Sequence, residues 1–121
     1  MHGGIQDPLI ELQQSQDGRE FNDNLVESID ETIIGLISRT VVDALYTHLQ
    51  TFHSISRYEV PYRLETLFTT LEKTFGGRGS QTITKTIASK SYLRLGFEFT
   101  DNPGRSLLAY VDEAKMKLQI S

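Results

Sequence analysis

Cysteine is absent from all 121 residues, which excludes disulfide frameworks, thiolate zinc sites and cysteine nucleophiles together. No long apolar run is present either, because charge interrupts the hydrophobic residues every few positions. Met1 to Asp7 carry neither a basic start nor an apolar segment, so neither a signal peptide nor a membrane span is expected. These absences together imply a cytoplasmic location. Positive charge is scarce in the first half: residues 1–56 hold Arg19 and Arg39 against nine carboxylates, a net of −7. Residues 57–121 hold ten Lys and Arg against seven carboxylates, a net of +3, so an anion site is to be sought in the second half.

What remains is a chain long enough to bury one core without a metal or a disulfide. Residues 1–22, rich in Gln, Gly and Asp, read as a flexible arm whose Leu9 and Leu12 could dock on the core or on a second subunit. Residues 23–121 read as a single helical domain. From Asn24 the apolar residues follow helical spacing through Leu25, Ile29, Ile33, Val41, Leu45, Leu49 and Phe52. That predicts one long first helix, opened by Asn24 with Glu27 or by Ser28 with Glu31. Gly35 then falls mid-helix at a cost of about 1 kcal/mol relative to Ala, marking a bend or a close crossing. A second strip, Val26, Ile34 and Val42, widens the apolar surface beyond what a small core needs and points to a homodimer.

Pro61 suits the first turn of a second helix carrying Leu64, Leu67, Phe68, Leu71 and Phe75, ended by Gly76 and Gly77. Ser80 is expected to cap a third helix with Ile83, Ile87, Ala88 and Leu95, stopped by Gly96. Phe97 to Phe99 alternates as a short extended piece, and Asp101-Asn102-Pro103-Gly104 reads as a turn. A last helix opens near Ser106 and carries Leu107, Leu108, Val111 and Ala114. The fold class is therefore all-α, a small orthogonal bundle of four main helices with a long first one.

The runs Ala44-Leu45-Tyr46, Glu59-Val60-Pro61-Tyr62-Arg63-Leu64-Glu65, Leu71-Glu72-Lys73-Thr74-Phe75-Gly76, Leu95-Gly96-Phe97-Glu98-Phe99 and Leu108-Ala109-Tyr110-Val111 resemble a small helical family. It is the archaeal Nitrosopumilus-type output domain, which in some proteins follows a response-regulator receiver. The resemblance spans about the last two thirds of the chain. It implies a signalling or interaction module with no assigned catalytic residue and an unknown signalling protein as partner. No receiver precedes the module here, so its input would come from a separate protein.

Sites of chemistry are few. His48 and His53 are five residues apart, about 140° around an ideal helix, which does not suit a shared metal. His48 reads as a core-edge residue and His53 as a helix-end residue favoured by the dipole. Gly76-Gly77-Arg78-Gly79-Ser80-Gln81-Thr82 lacks the Walker ending and the dinucleotide fingerprint, so a C-cap followed by an N-cap accounts for it, with an anion site at Arg78 and Ser80 as the alternative. Two helices joined by a glycine turn could also be a helix-turn-helix over residues 77–94. Its second helix would present Gln81, Thr84, Lys85, Ser91 and Arg94 to bases, with Lys73, Arg78 and Lys90 on phosphates. Lys85 and Lys90 do not share a face, which makes any nucleic-acid binding weak. Glu27, Asp30 and Glu31 are expected to complement a helix N-terminus and do no chemistry. Tyr46, Tyr58, Tyr62, Tyr92 and Tyr110, with Arg57 and Arg63 near two of them, suit core-rim packing. No catalytic residue, metal or cofactor is assigned. The expectation is a protein-interaction or signal-output module, with weak nucleic-acid binding as the alternative.

Overall fold

The computed structural model describes residues 8–119 of the chain, with side chains from residue 18 onward. Among the described residues there are five helices and no strand: α1 (Pro8–Leu36), α2 (Arg39–His53), a 3-10 segment (Arg57–Tyr62), α3 (Leu64–Leu95) and α4 (Leu107–Leu118). None is long and apolar enough to cross a membrane. Pro8 stands in the first turn of α1, where its missing N–H costs nothing. The helix then runs through Asn24 and Ser28 without a break, so neither residue caps it, and Ser28 Oγ donates back to the Asn24 carbonyl at 2.9 Å. No boundary falls between residues 22 and 23: the sequence assigned to an arm is helical from Pro8, and Phe21 is buried in the core. The side chains of Leu9 and Leu12 lie outside the described residues.

The expected long first helix is two helices. Ile37 donates to Ile33 O at 2.9 Å as the last bond of α1. Ser38 then turns extended, and its hydroxyl accepts Val41 N at 3.2 Å to open α2. Gly35 lies just before this break, exposed, with open space where a Cβ would stand, so it makes no close crossing. The break also explains the apparent excess of apolar surface. Folded back on α1, α2 turns Val42, Leu45 and Leu49 toward Leu25, Ile29 and Ile33, and two stripes that looked like one oversized face cover each other. Val26 and Val42 are buried and Ile34 is half-buried against the core. The strip expected to hold a second subunit is inside the monomer.

The glycine break after Phe75 is where the sequence placed it. Gly76 takes φ 78° and ψ 175°, the one non-helical residue within α3, and divides it into arms over residues 64–75 and 77–95. That region of backbone space is open to glycine and closed to side chains. Leu67 and Leu71 on the first arm, and Ile83, Ile87 and Ala88 on the second, close the core against α1. Gly96 ends α3 in a left-handed cap: its N–H bonds Leu93 O, and Phe97 N bonds Tyr92 O at 2.9 Å. Phe97 to Phe99 forms no strand, and the two rings pack on the core beside Tyr92. Arg105 N bonds Asn102 O at 3.0 Å across Pro103 and Gly104, and Ser106 caps α4 by accepting Ala109 N at 3.1 Å.

Two positions carry removable penalties. Ser54 closes α2 at φ 56°, a left-handed conformation that glycine adopts without the Cβ clash. Ser54→Gly should raise unfolding free energy by about 1 kcal/mol in urea titrations. Thr32 Oγ1 is buried with no partner among the described residues. Thr32→Val keeps the shape and removes the unsatisfied hydroxyl, so it should stabilise by about 1 kcal/mol in the same assay.

Candidate binding groove

The bend at Gly76 leaves a space between the two arms of α3, and the chain returns over it through residues 101–106 into α4. The result is an open groove of about 850 Å³. Leu64, Phe68, Leu107 and Leu108 give it an apolar lining, and Arg78, Lys85 and Arg105 line it with positive charge beside Glu65 and Asp101. Tyr110 fixes the returning wall, since its hydroxyl accepts Asn102 N at 2.9 Å while its ring packs on Phe99 at 5.1 Å. Lys85 Nζ ties the same wall to the second arm through Asp101 at 3.2 Å.

Behind that wall lies a polar network. The single hydroxyl proton of Tyr92 is shared between Tyr110 O at 2.8 Å and Glu113 Oε1 at 3.2 Å. Burial first, and then the Glu113 carboxylate, push the Tyr92 phenol up to about 12. Arg105 pairs with Glu113, and Lys117 approaches the same carboxylate at 3.4 Å. Hydrogen bonding by Arg105 holds the Glu113 carboxyl below its ordinary 4.5.

The structure brings only part of the expected anion set to the groove. Arg78 is exposed and makes no ion pair among the described residues, and Lys85 is present but paired. Ser80 is fully buried, and its hydroxyl donates to Gly77 O at 3.0 Å, so it is neither an N-cap nor an anion contact. Arg94 lies at the far end of the second arm, bonded to Glu27 at 2.8 Å and to Glu31. Lys90 is half-buried and does not line the groove. Thr84 and Ser91, expected to face bases, are buried because the second arm turns that side to the core. His48 is exposed rather than at the core edge, its ring tilted against Phe52 with centroids 4.7 Å apart, while His53 is the last residue of α2.

Glu27, Asp30 and Glu31 stand well inside α1 and not at its N-terminus. Glu27 and Glu31 hold Arg94, and Asp30 is the centre of a cluster invisible in the sequence. Tyr46 Oη on α2 donates to Asp30 Oδ1, and Arg57 donates to Oδ2 through Nε at 3.2 Å and through a terminal nitrogen. The Arg57 guanidinium also lies 5.1 Å from the Tyr58 ring centroid. Burial and the adjacent carboxylate push the Tyr46 phenol far above its ordinary 10.0, so it stays protonated and serves as a fastening. Arg63 is exposed and takes no part.

No protein-family model, no curated protein sequence and no solved structure matches this chain. The likeness to the Nitrosopumilus-type output domain therefore rests on the residues quoted for it alone.

Glu113 makes the groove wall acid-sensitive. A carboxyl whose folded value is depressed contributes stability that is fully present above its unfolded value and lost as pH falls through the folded one. Thermal melts from neutral pH to pH about 3 should therefore show Glu113→Gln less stable than the parent at neutral pH, with the gap closing below the ordinary carboxylate value of 4.5.

Proposed function

We propose that this chain is a helical protein-interaction module without catalytic activity, which receives an acidic amphipathic segment of a signalling partner in the groove between the arms of α3. The observation that carries the reading is the juxtaposition of apolar Leu64, Phe68 and Leu108 with an exposed Arg78, which has no ion pair among the described residues, in one cleft of about 850 Å³. Apolar side chains of a helical segment would fill such a lining at i, i+3, i+4 and i+7, and its carboxylates would meet Arg78. A signal-output role is what the Nitrosopumilus-type resemblance implies for the same module.

The arrangement supports a protein segment over a nucleic acid. Lys85 and Arg94 are neutralised within the chain, and Thr84 and Ser91 are buried, so residues 77–94 offer no basic stripe for a phosphate backbone. The test is fluorescence anisotropy with a labelled helical peptide bearing leucines at that spacing and flanking glutamates. Arg78→Glu should weaken its binding about tenfold, and Leu108→Asp should abolish it. Unchanged affinity in both variants, or equal binding of a peptide with lysines in place of the glutamates, would remove the reading. Salt-sensitive binding of duplex DNA in place of the peptide would restore the helix-turn-helix alternative.

A further inference from the structure

We infer that α3 is a hinge helix, held bent at Gly76 in the monomer, whose straightening lets two copies of this chain exchange residues 77–118 and form a dimer. One residue separates the bent helix from a continuous one: Gly76, at φ 78° and ψ 175°, is the sole non-helical position between Leu64 and Leu95. Rotating it into the helical region makes the ladder continuous and carries the second arm, the 101–106 wall and α4 away from the first arm as a unit.

A straightened monomer would expose the faces of Leu25, Ile29 and Ile87 that now meet. A second straightened copy covers them with identical contacts, among them Arg94 with Glu27 and Glu31. Because the contacts exchanged are the same, the balance between monomer and dimer is set by the hinge conformation and by concentration. Each groove of the dimer would be built from both chains, with Leu64 and Phe68 from one and Arg78, Leu107 and Leu108 from the other.

Two features of the hinge hold the wild-type chain in the bent form. Glycines at 76, 77 and 79 weaken a continuous helix. Gly79 also leaves room for the bend itself, since a Cβ there would stand 2.9 Å from Cβ of Phe75. In a straight helix residues four apart hold their Cβ atoms about 5–6 Å from each other, so that clash belongs to the bent form alone.

Gly76→Ala and Gly79→Ala therefore attack the bend by different routes, one through backbone angle and one through contact. Light scattering after size exclusion should show the wild type as monomer at micromolar concentration. For either variant the dimer dissociation constant should fall by about a thousandfold, because two hinges change per dimer.

The absence of native cysteine allows the exchange to be read directly. Asn24 Nδ2 lies 3.5 Å from Ser91 Oγ across the α1–α3 contact. Asn24→Cys with Ser91→Cys, oxidised after the Gly76→Ala dimer has formed, should give a covalent dimer on a non-reducing denaturing gel. Dimers whose disulfides close within each chain would mean side-by-side association and overturn the exchange. Variants that remain monomeric, whether folded or destabilised, would overturn it as well. Neither result depends on peptide binding, so the groove reading fails or survives separately.

Discussion

The backbone angle at Gly76 is the constraint on which the remaining architecture rests. With the arms of α3 at an angle, the first meets the core through Leu67 and Leu71, and the second lies along α1 through Ile87, Ala88 and Ser91. The bend also brings the chain end back, so that α4 packs on α3 and its first turn faces Leu64 and Phe68. Groove, returning wall and the network behind it are all consequences of one position that a side chain could not occupy without strain.

The charge asymmetry along the chain has a structural use that differs from the one it suggested. Positive residues of the second half pair with carboxylates of the first: Arg57 with Asp30, and Arg94 with Glu27 and Glu31. These links bind the 3-10 segment and the end of α3 to α1, which makes no other ion pair among the described residues. The Arg94 pairs are largely exposed and contribute modestly, about 1 kcal/mol or less each, so their value lies more in register than in stability. Arg78 stands apart because it faces the groove and no described carboxylate pairs with it.

Local signals in the sequence translated well where a single residue type enforces a conformation. Gly76, Gly96, the Pro103-Gly104 turn and the Ser106 cap all sit where backbone sterics or a capping bond demanded them. The first helix was misread because Ser38 caps a helix from within an unbroken apolar pattern, and periodicity cannot tell one helix of that pattern from two folded together. Asn24 and Ser28 look like caps in the sequence, but a cap residue is equally at home inside a helix that tertiary packing supports. The groove left no pattern at all, for it joins Phe68 and Arg78 to Leu108 across a bend and a turn. Nor did the Asp30–Tyr46–Arg57 cluster, whose members are 16 and 27 residues from the aspartate.

The link between Asn24 and Ser91 spans 67 residues of chain. Closing so long a loop is entropically costly, whereas α1 and α2 need only the short turn at Ser38. The α1–α2 hairpin is thus the natural first product of folding, with the second arm of α3 and α4 arriving later. A nascent chain leaving the ribosome would hold its hairpin ready while residues 77–118 were still being made. For that interval the apolar face of α1 stays uncovered, which makes crowded synthesis the moment at which neighbouring chains can entangle.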